Sequence, residues 1–325
     1  MTRSRGNFCL IALGAAWTAA PAPAEPLAIS TRPVALHPED PGVGKVGALV
    51  YRGGLDLRSR DRRFGGLSAL SVDRTGRRLL ALTDKGNWVS LVVTYDADGR
   101  LSGIGEARIG ALADLAAGSV AGTGLGDAES MAPSRGGYAV GFESRHRIWL
   151  YPRQGATGLG RPRDLRAPRE LRRAPANEGL EALARLADGR LLALTEGLSA
   201  GEGQLRGWIA DGGDWRPLSY RRTGLFVPTG AATLAGGDVL VLERRFTWIG
   251  GLASRIVRLR REDIRAGAVL DGAEVAVIDP PLTTENFEGI AVRPLPGGGA
   301  AVYLVSDDNF YSIQRTLLMM FEYRF

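Results

Sequence analysis

Five stretches of this chain share one pattern, and that repetition constrains the fold more than any other feature. They are "FGGLSALSVDRTGRRLLALTDKG" (64–86), "AESMAPSRGGYAVGFESR" (128–145), "ANEGLEALARLADGRLLALTEG" (176–197), "PTGAATLAGGDVLVLERR" (228–245) and "FEGIAVRPLPGGGAAVYLVSDDN" (287–309). In each, a small residue (Gly66, Ser130, Gly179, Gly230, Gly289) leads into a short apolar strand, and a glycine-containing turn follows. A second apolar strand then closes on an acid: Asp84, Glu143, Glu196, Glu243 or Asp307. The small residues recur at intervals of 49 to 64, the length of a four-stranded sheet with its loops. Further strand-like runs lie between the copies, among them "WVSLVVTYD" (88–96), "RIWLYP" (147–152), "RGWIAD" (206–211) and "SRIVRLR" (254–260). A hairpin that is apolar on both faces cannot bury itself alone, so such units stack around an axis. The expected fold is an all-β propeller of five blades, with six as the alternative. Pairing "GALVYRGGLDL" (47–57) with the C-terminal "LLMMFEYRF" (317–325) would close the ring and remove the open sheet edges. Helix is expected only as single turns at 112–117 and 261–267, the second with Asp263 as its cap.

In an antiparallel hairpin the start of one strand lies beside the end of the next. Glu178 and Glu181 should therefore approach Glu196, and Glu129 with Asp127 should approach Glu143. Glu285 and Glu288 should approach Asp307 and Asp308, while Asp84 faces Gly65–Gly66 and Glu243 faces Thr229. Because the innermost strands of a propeller line its channel, all these ends should meet at one mouth. So many carboxylates in one place need raised pKa values, arginine partners or bound cations. Oxygen donors without histidine suit Ca²⁺, with Mg²⁺ as the alternative. The expected metal ligands are Asp84, Glu129, Glu143, Glu178, Glu196, Glu243, Glu288 and Asp307, with Glu178, Glu196 and Glu143 as catalytic residues. Lys85, Arg145 and Arg244 follow the acids and are the expected phosphate-binding residues.

Composition narrows the function classes. The formal charge is +6, but it is almost all scattered arginine, with no helix-turn-helix, RNP or zinc-finger pattern, so no nucleic-acid partner is expected. Residues 1–24 read as a signal peptide, with Arg3 and Arg5, an apolar run from Phe8 to Ala20, and "APAPA" ending at the expected cleavage point near Ala24. The rest, 25–325, is expected to be one domain in the periplasm or outside the cell, monomeric and without a membrane span. Cys9, the only cysteine, lies in the leader, so the mature chain has neither disulfides nor thiol chemistry. Two histidines, His37 and His146, without HExxH or GxSxG, give no metalloprotease or serine-hydrolase signature. The C-terminal strand has the aromatic end of an outer-membrane barrel, but the alternating ten-residue segments of such a barrel are missing.

The segments "FGGLSAL", "DAESMA", "NEGLEAL", "NFEGIAV" and "LVSDDNF" resemble, in the same order, the motifs of the bacterial "esterase-like activity of phytase" family, from about Gly44 to Phe325. The resemblance implies an exported propeller with repeated Glu and Asp residues, for which phosphoesterase activity has been proposed. Calcium-dependent propeller phytases are a more distant analogy, and their full set of lysine, arginine and histidine phosphate ligands is not found here. The expected function is a divalent-metal-dependent hydrolase of a small phosphoester or other anionic substrate. The alternatives are a non-catalytic propeller that binds a ligand or protein, and a lactonase-like hydrolase of carboxylic esters.

Overall fold

The computed structural model describes residues 24–211 and 213–325, so the expected leader lies outside the described residues apart from Ala24. Five antiparallel sheets follow one another along the chain. Blade 1 runs Leu67–Val72, Arg78–Thr83, Asn87–Tyr95 and Leu101–Ala111, with Glu25–Pro26 on its outer edge. Blade 2 holds Ala128–Ser134, Gly137–Phe142 and Arg147–Gln154, edged by Gly158–Leu159 and Arg163–Asp164. Blade 3 holds Leu180–Arg185, Leu191–Gly201, Gln204–Asp211 and Asp214–Arg221, and Val269–Leu270 joins its edge in parallel. Blade 4 holds Val227–Thr233, Val239–Thr247, Gly251–Leu259 and Ala273–Ile278.

Blade 5 is built from both ends of the chain. Asn286–Pro294, Ala300–Asp307 and Thr316–Tyr323 are followed across the sheet by Leu49–Arg58, which comes from the N-terminal side. The expected pairing of the two termini is thus the closure of the ring. All eight residues of Thr316–Tyr323 are buried, because this strand lies between two others in the sheet and between two neighbouring blades. The first strands of the five blades contact one another in a closed cycle, which defines the central channel.

The apolar runs fold this way because their alternate residues serve two interfaces. Leu79 and Ala81 pack with blade 5, while Leu80 and Leu82 pack with blade 2. Leu318 and Met320 face blade 1, and Leu317, Met319 and Phe321 face blade 4. Five apolar clusters result, one between each pair of neighbouring blades. Strands buried on both faces read as continuous apolar runs rather than as an alternation.

Every first strand carries a β-bulge at the same place. The ladder to the second strand skips Ser68, Glu129, Glu181, Thr229 and Glu288 in blades 1 to 5. These are the true equivalents around the ring. The small residues that mark the repeat in the sequence fall one or two positions to either side of them, since glycine and serine flank a bulge on both sides. The expected helical turn at 112–117 is an irregular turn instead. At Arg261–Asp263 there is a 3₁₀ turn, but Asp263 lies inside it and no side chain caps it.

Candidate functional site

The bulges determine what enters the channel. An extra residue in one strand re-aims its side chain, and all five bulged residues line one narrow cavity on the axis, of about 10 Å³. In blades 1 and 4 the bulged residue is a hydroxyl that bonds the next blade: Ser68 Oγ donates to the carbonyl of Ala128, and Thr229 Oγ1 to that of Phe287 (3.2 Å). In blades 2, 3 and 5 it is a glutamate, Glu129, Glu181 or Glu288, each nine-tenths buried or more.

A second tier of acids stands where the second strands end. Glu143 accepts a hydrogen bond from the Gly179 N–H of the next blade. Asp307 is buried and accepts from the Asn309 N–H at 2.6 Å. Asp84 lies against Gly65–Gly66 as expected, and a Cβ on Gly66 would collide with its carboxylate and with Phe310. Glu196 receives Arg244 Nη2 at 2.9 Å. The two tiers touch, for Glu181 contacts Glu143 and Glu129 contacts Asp127, carboxyl to carboxyl.

Two acids of the expected set of approaches lie apart from this cluster. Glu243 is fully buried against Arg255 (2.6 Å) and the Tyr220 hydroxyl (2.9 Å), away from the channel. Its neighbour Arg244 takes its place at the mouth, donating to Glu196 and to Asn286 (2.8 Å) and lying 3.3 Å from Glu288. Glu285 pairs with Arg315 at 2.6 Å. Of the expected phosphate ligands, exposed Lys85 lies over the Phe310 ring, 2.8 Å from its centroid, and Arg145 is exposed on the rim of blade 2. His146 turns Nε2 toward the carbonyls of Ala174 and Pro175, which leaves its Nδ1 buried without a partner beside Gly179.

Burial dominates the electrostatics. It raises Glu129 and Glu181 well above the usual carboxylate range, and the neighbouring carboxylates push the same way. Glu288 is pushed up to about 8 by burial, against the pull of Arg244. Asp84 rises to about 7 through burial and then Asp307, with Lys85 opposing. Burial lifts Asp307 to about 6 despite the Asn309 N–H, and it also raises Glu196 against Arg244.

These residues fit a divalent cation. One carboxylate oxygen from each of Asp127, Glu129 and Glu143 lies within 4.8 Å of the others, close enough for a single Ca²⁺ to meet all three at ligand distances of about 2.3–2.6 Å. Asp84 Oδ1 is buried and has no hydrogen-bond partner among the described residues. Asp127, which closes the triad, and Glu181 were not in the expected ligand set. The "DAE" of blade 2 was the signal for Asp127, with two acids one residue apart at the mouth of a strand.

Beside the carboxylates, over blades 3 to 5, opens a groove of about 510 Å³. Glu178, Glu196, Arg222, Arg244 and Asn286 are among its polar lining residues, and Leu225, Phe246 and Leu252 line it as well. The sequence-predicted Glu178, Glu196 and Arg244 are therefore brought together here, next to the blade 2 triad rather than within it.

The fold and site define a class: a five-bladed propeller whose channel mouth is a buried carboxylate cluster. A family profile described as Phytase-like, "Esterase-like activity of phytase", matches residues 62–310, and the chain belongs to that family. No curated protein matches it. Among solved structures it is similar to a Bacteroides thetaiotaomicron protein of unknown function, at 11% identity over 90% of this chain and 76% of that one (TM-score 0.46). It is also similar to a PQQ-bound aldose sugar dehydrogenase from Streptomyces coelicolor, at 14% identity over 91% and 99% of the two chains (TM-score 0.43). A luciferin-regenerating enzyme shares 13% identity over 82% and 96% (TM-score 0.37). Among the described residues no helix is long and apolar enough to cross a membrane.

Proposed function

We propose that this chain is a divalent-metal-dependent hydrolase of phosphoesters that works at the channel mouth. The observation that carries the reading is the convergence of carboxylate oxygens of Asp127, Glu129 and Glu143 within 4.8 Å, with Asp127 half-buried and Glu129 and Glu143 about nine-tenths buried. These three would hold the cation, Ca²⁺ by donor type, with Glu181 and Glu288 completing the negative field around it. A bound divalent ion there would supply Lewis-acid polarisation of a phosphoryl oxygen and activation of water.

The protein's own groups divide the remaining work. Glu196 and Glu178 border the groove and are placed to accept a proton from an attacking water. Arg244, bonded to Glu196 and Asn286, keeps Glu196 oriented and presents positive charge to the groove. Lys85 and Arg145, exposed on the rim, offset charge on an incoming anion. The inner-tier glutamates themselves are nine-tenths buried or more, which limits their contact with water. The ring is closed within one chain, which supports action as a monomer, and the signal-like pattern of residues 1–24 supports action outside the cytoplasm.

The test is turnover of p-nitrophenyl phosphate and of bis(p-nitrophenyl) phosphate by the mature chain, with Ca²⁺ and with chelator. Chelator-sensitive hydrolysis that Glu129→Gln and Glu143→Gln both abolish is expected. Turnover absent on both substrates, or indifferent to chelator, would overturn the reading; a lactone panel run in parallel detects carboxylic ester hydrolysis in its place.

A further inference from the structure

We propose that the groove over blades 3 to 5 seats a compact apolar group of the substrate, such as an aryl ring, so that the preferred ester carries one phosphoryl group rather than many. This deepens the reading of the mouth as an esterase site and rests on it. The groove, at about 510 Å³, has the size of a small-molecule site. Its lining is mixed, with Glu178, Glu196, Arg222 and Arg244 as charged members and Leu225, Phe246 and Leu252 among the apolar ones.

Two of the apolar lining residues are open to solvent. Leu225 and Phe246 are each 56% exposed, and Phe246 meets Trp248 edge-on at 5.7 Å. Trp248 and Ile249, at the tip of the same hairpin, are almost wholly in water. A run of large apolar side chains left in solvent beside a polar pocket marks a contact surface. Charge decides which ligand suits it. The cations lining the groove are Arg222 and Arg244, and Arg244 already donates to Glu196 and Asn286. Glu178 and Glu196 face the same space, so a polyphosphorylated polyol would place several anionic groups against carboxylates. An ester with one anionic head and an apolar body meets less of that repulsion. Its head can lie toward Arg244, the lining cation bonded to Glu196 and Asn286, while its body lies on Phe246 and Leu225.

The probes are phenylphosphonate and methylphosphonate, which cannot be hydrolysed, titrated calorimetrically into the Ca²⁺-loaded chain, with inositol hexakisphosphate as the polyanion. Burying one ring predicts that phenylphosphonate binds roughly tenfold or more tighter than methylphosphonate. It should also bind more tightly than the polyanion and change the emission of Trp248, a change lost in Trp248→Phe. The double variant Leu225→Ala, Phe246→Ala alters exposed side chains, so it should melt like the parent while losing the phenyl preference and keeping its methylphosphonate affinity. Equal affinities, no binding of either phosphonate, or a preference that survives the double variant would overturn the proposal. A phenyl preference in a protein without ester turnover would remove the hydrolase reading and leave the apolar seat. Chelator-sensitive turnover without the preference would do the reverse.

Discussion

Glu243 closes its apolar run as Glu196 closes the preceding one, but in the ladder it pairs with Pro228 as Thr195 pairs with Leu180, so that Arg244 is the counterpart of Glu196 and the two carboxylates end in opposite environments. Glu243 lies directly across the ladder from Arg255, so its charge is met within its own blade. The ladder of blade 3 is irregular beyond Leu194, and Glu196 finds its cation in Arg244 of the next blade. The acid at the end of the run could be read from sequence, but its register could not, and an offset of one residue turns Glu243 to the other face of its strand and leaves Arg244 at the mouth. Arg255 was visible as the cross-strand partner of Glu243, because a hairpin turning on "TWIGG" sets residues 243 and 255 opposite each other. Removing one member of a buried pair leaves the other charge uncompensated. Glu243→Ala should therefore destabilise the fold by about 3 kcal/mol in urea unfolding, with the Ca²⁺ response of the remaining folded protein unchanged. Glu285→Gln, at an acid paired with Arg315, should alter neither turnover nor Ca²⁺ binding.

At the scale of the strand, the bulge is the device that separates structure from chemistry. The same offset residue is a blade-joining hydroxyl in Ser68 and Thr229, and a channel carboxylate in Glu129, Glu181 and Glu288. Ser130, one residue past its bulge, donates to the Leu180 carbonyl at 2.7 Å and joins blades 2 and 3 in the same way. Ser130→Ala should cost about 1 kcal/mol in denaturant unfolding, as for one buried hydrogen bond, without altering metal binding. The hairpins, their acidic ends and the terminal closure were legible in the sequence because apolar runs and turn residues report them directly. The bulges were not, since an extra residue changes register without changing composition. That is why the sequence places the repeat one or two residues from its structural equivalents and leaves Asp127 and Glu181 outside the ligand set.

For the whole molecule, the ring concentrates buried acids that individually would be expensive. Glu288 holds its proton to about pH 8 and Asp84 to about pH 7 in the folded state, whereas unfolded carboxyls release theirs near about pH 4. The folded state therefore binds more protons than the unfolded chain within that window. Metal-free stability should be fullest at its acidic end and fall as pH rises through 7 and 8. A cation that replaces those protons should reverse the trend, so the rise in Tm on adding Ca²⁺ should be larger at pH 8 than at pH 5. Thermal melts of chelator-treated protein across that range check it, and a Ca²⁺ shift independent of pH would contradict the linkage.

The most direct test of the central claim, that the mouth carboxylates form a cation site, is a calorimetric Ca²⁺ titration of the chelator-treated chain in two buffers of different ionisation enthalpy. Saturable binding with proton release is predicted for the parent and for Glu285→Gln, and its loss is predicted in Glu129→Gln and Glu143→Gln. Undiminished binding in those two variants, or no saturable heat in the parent, would contradict it.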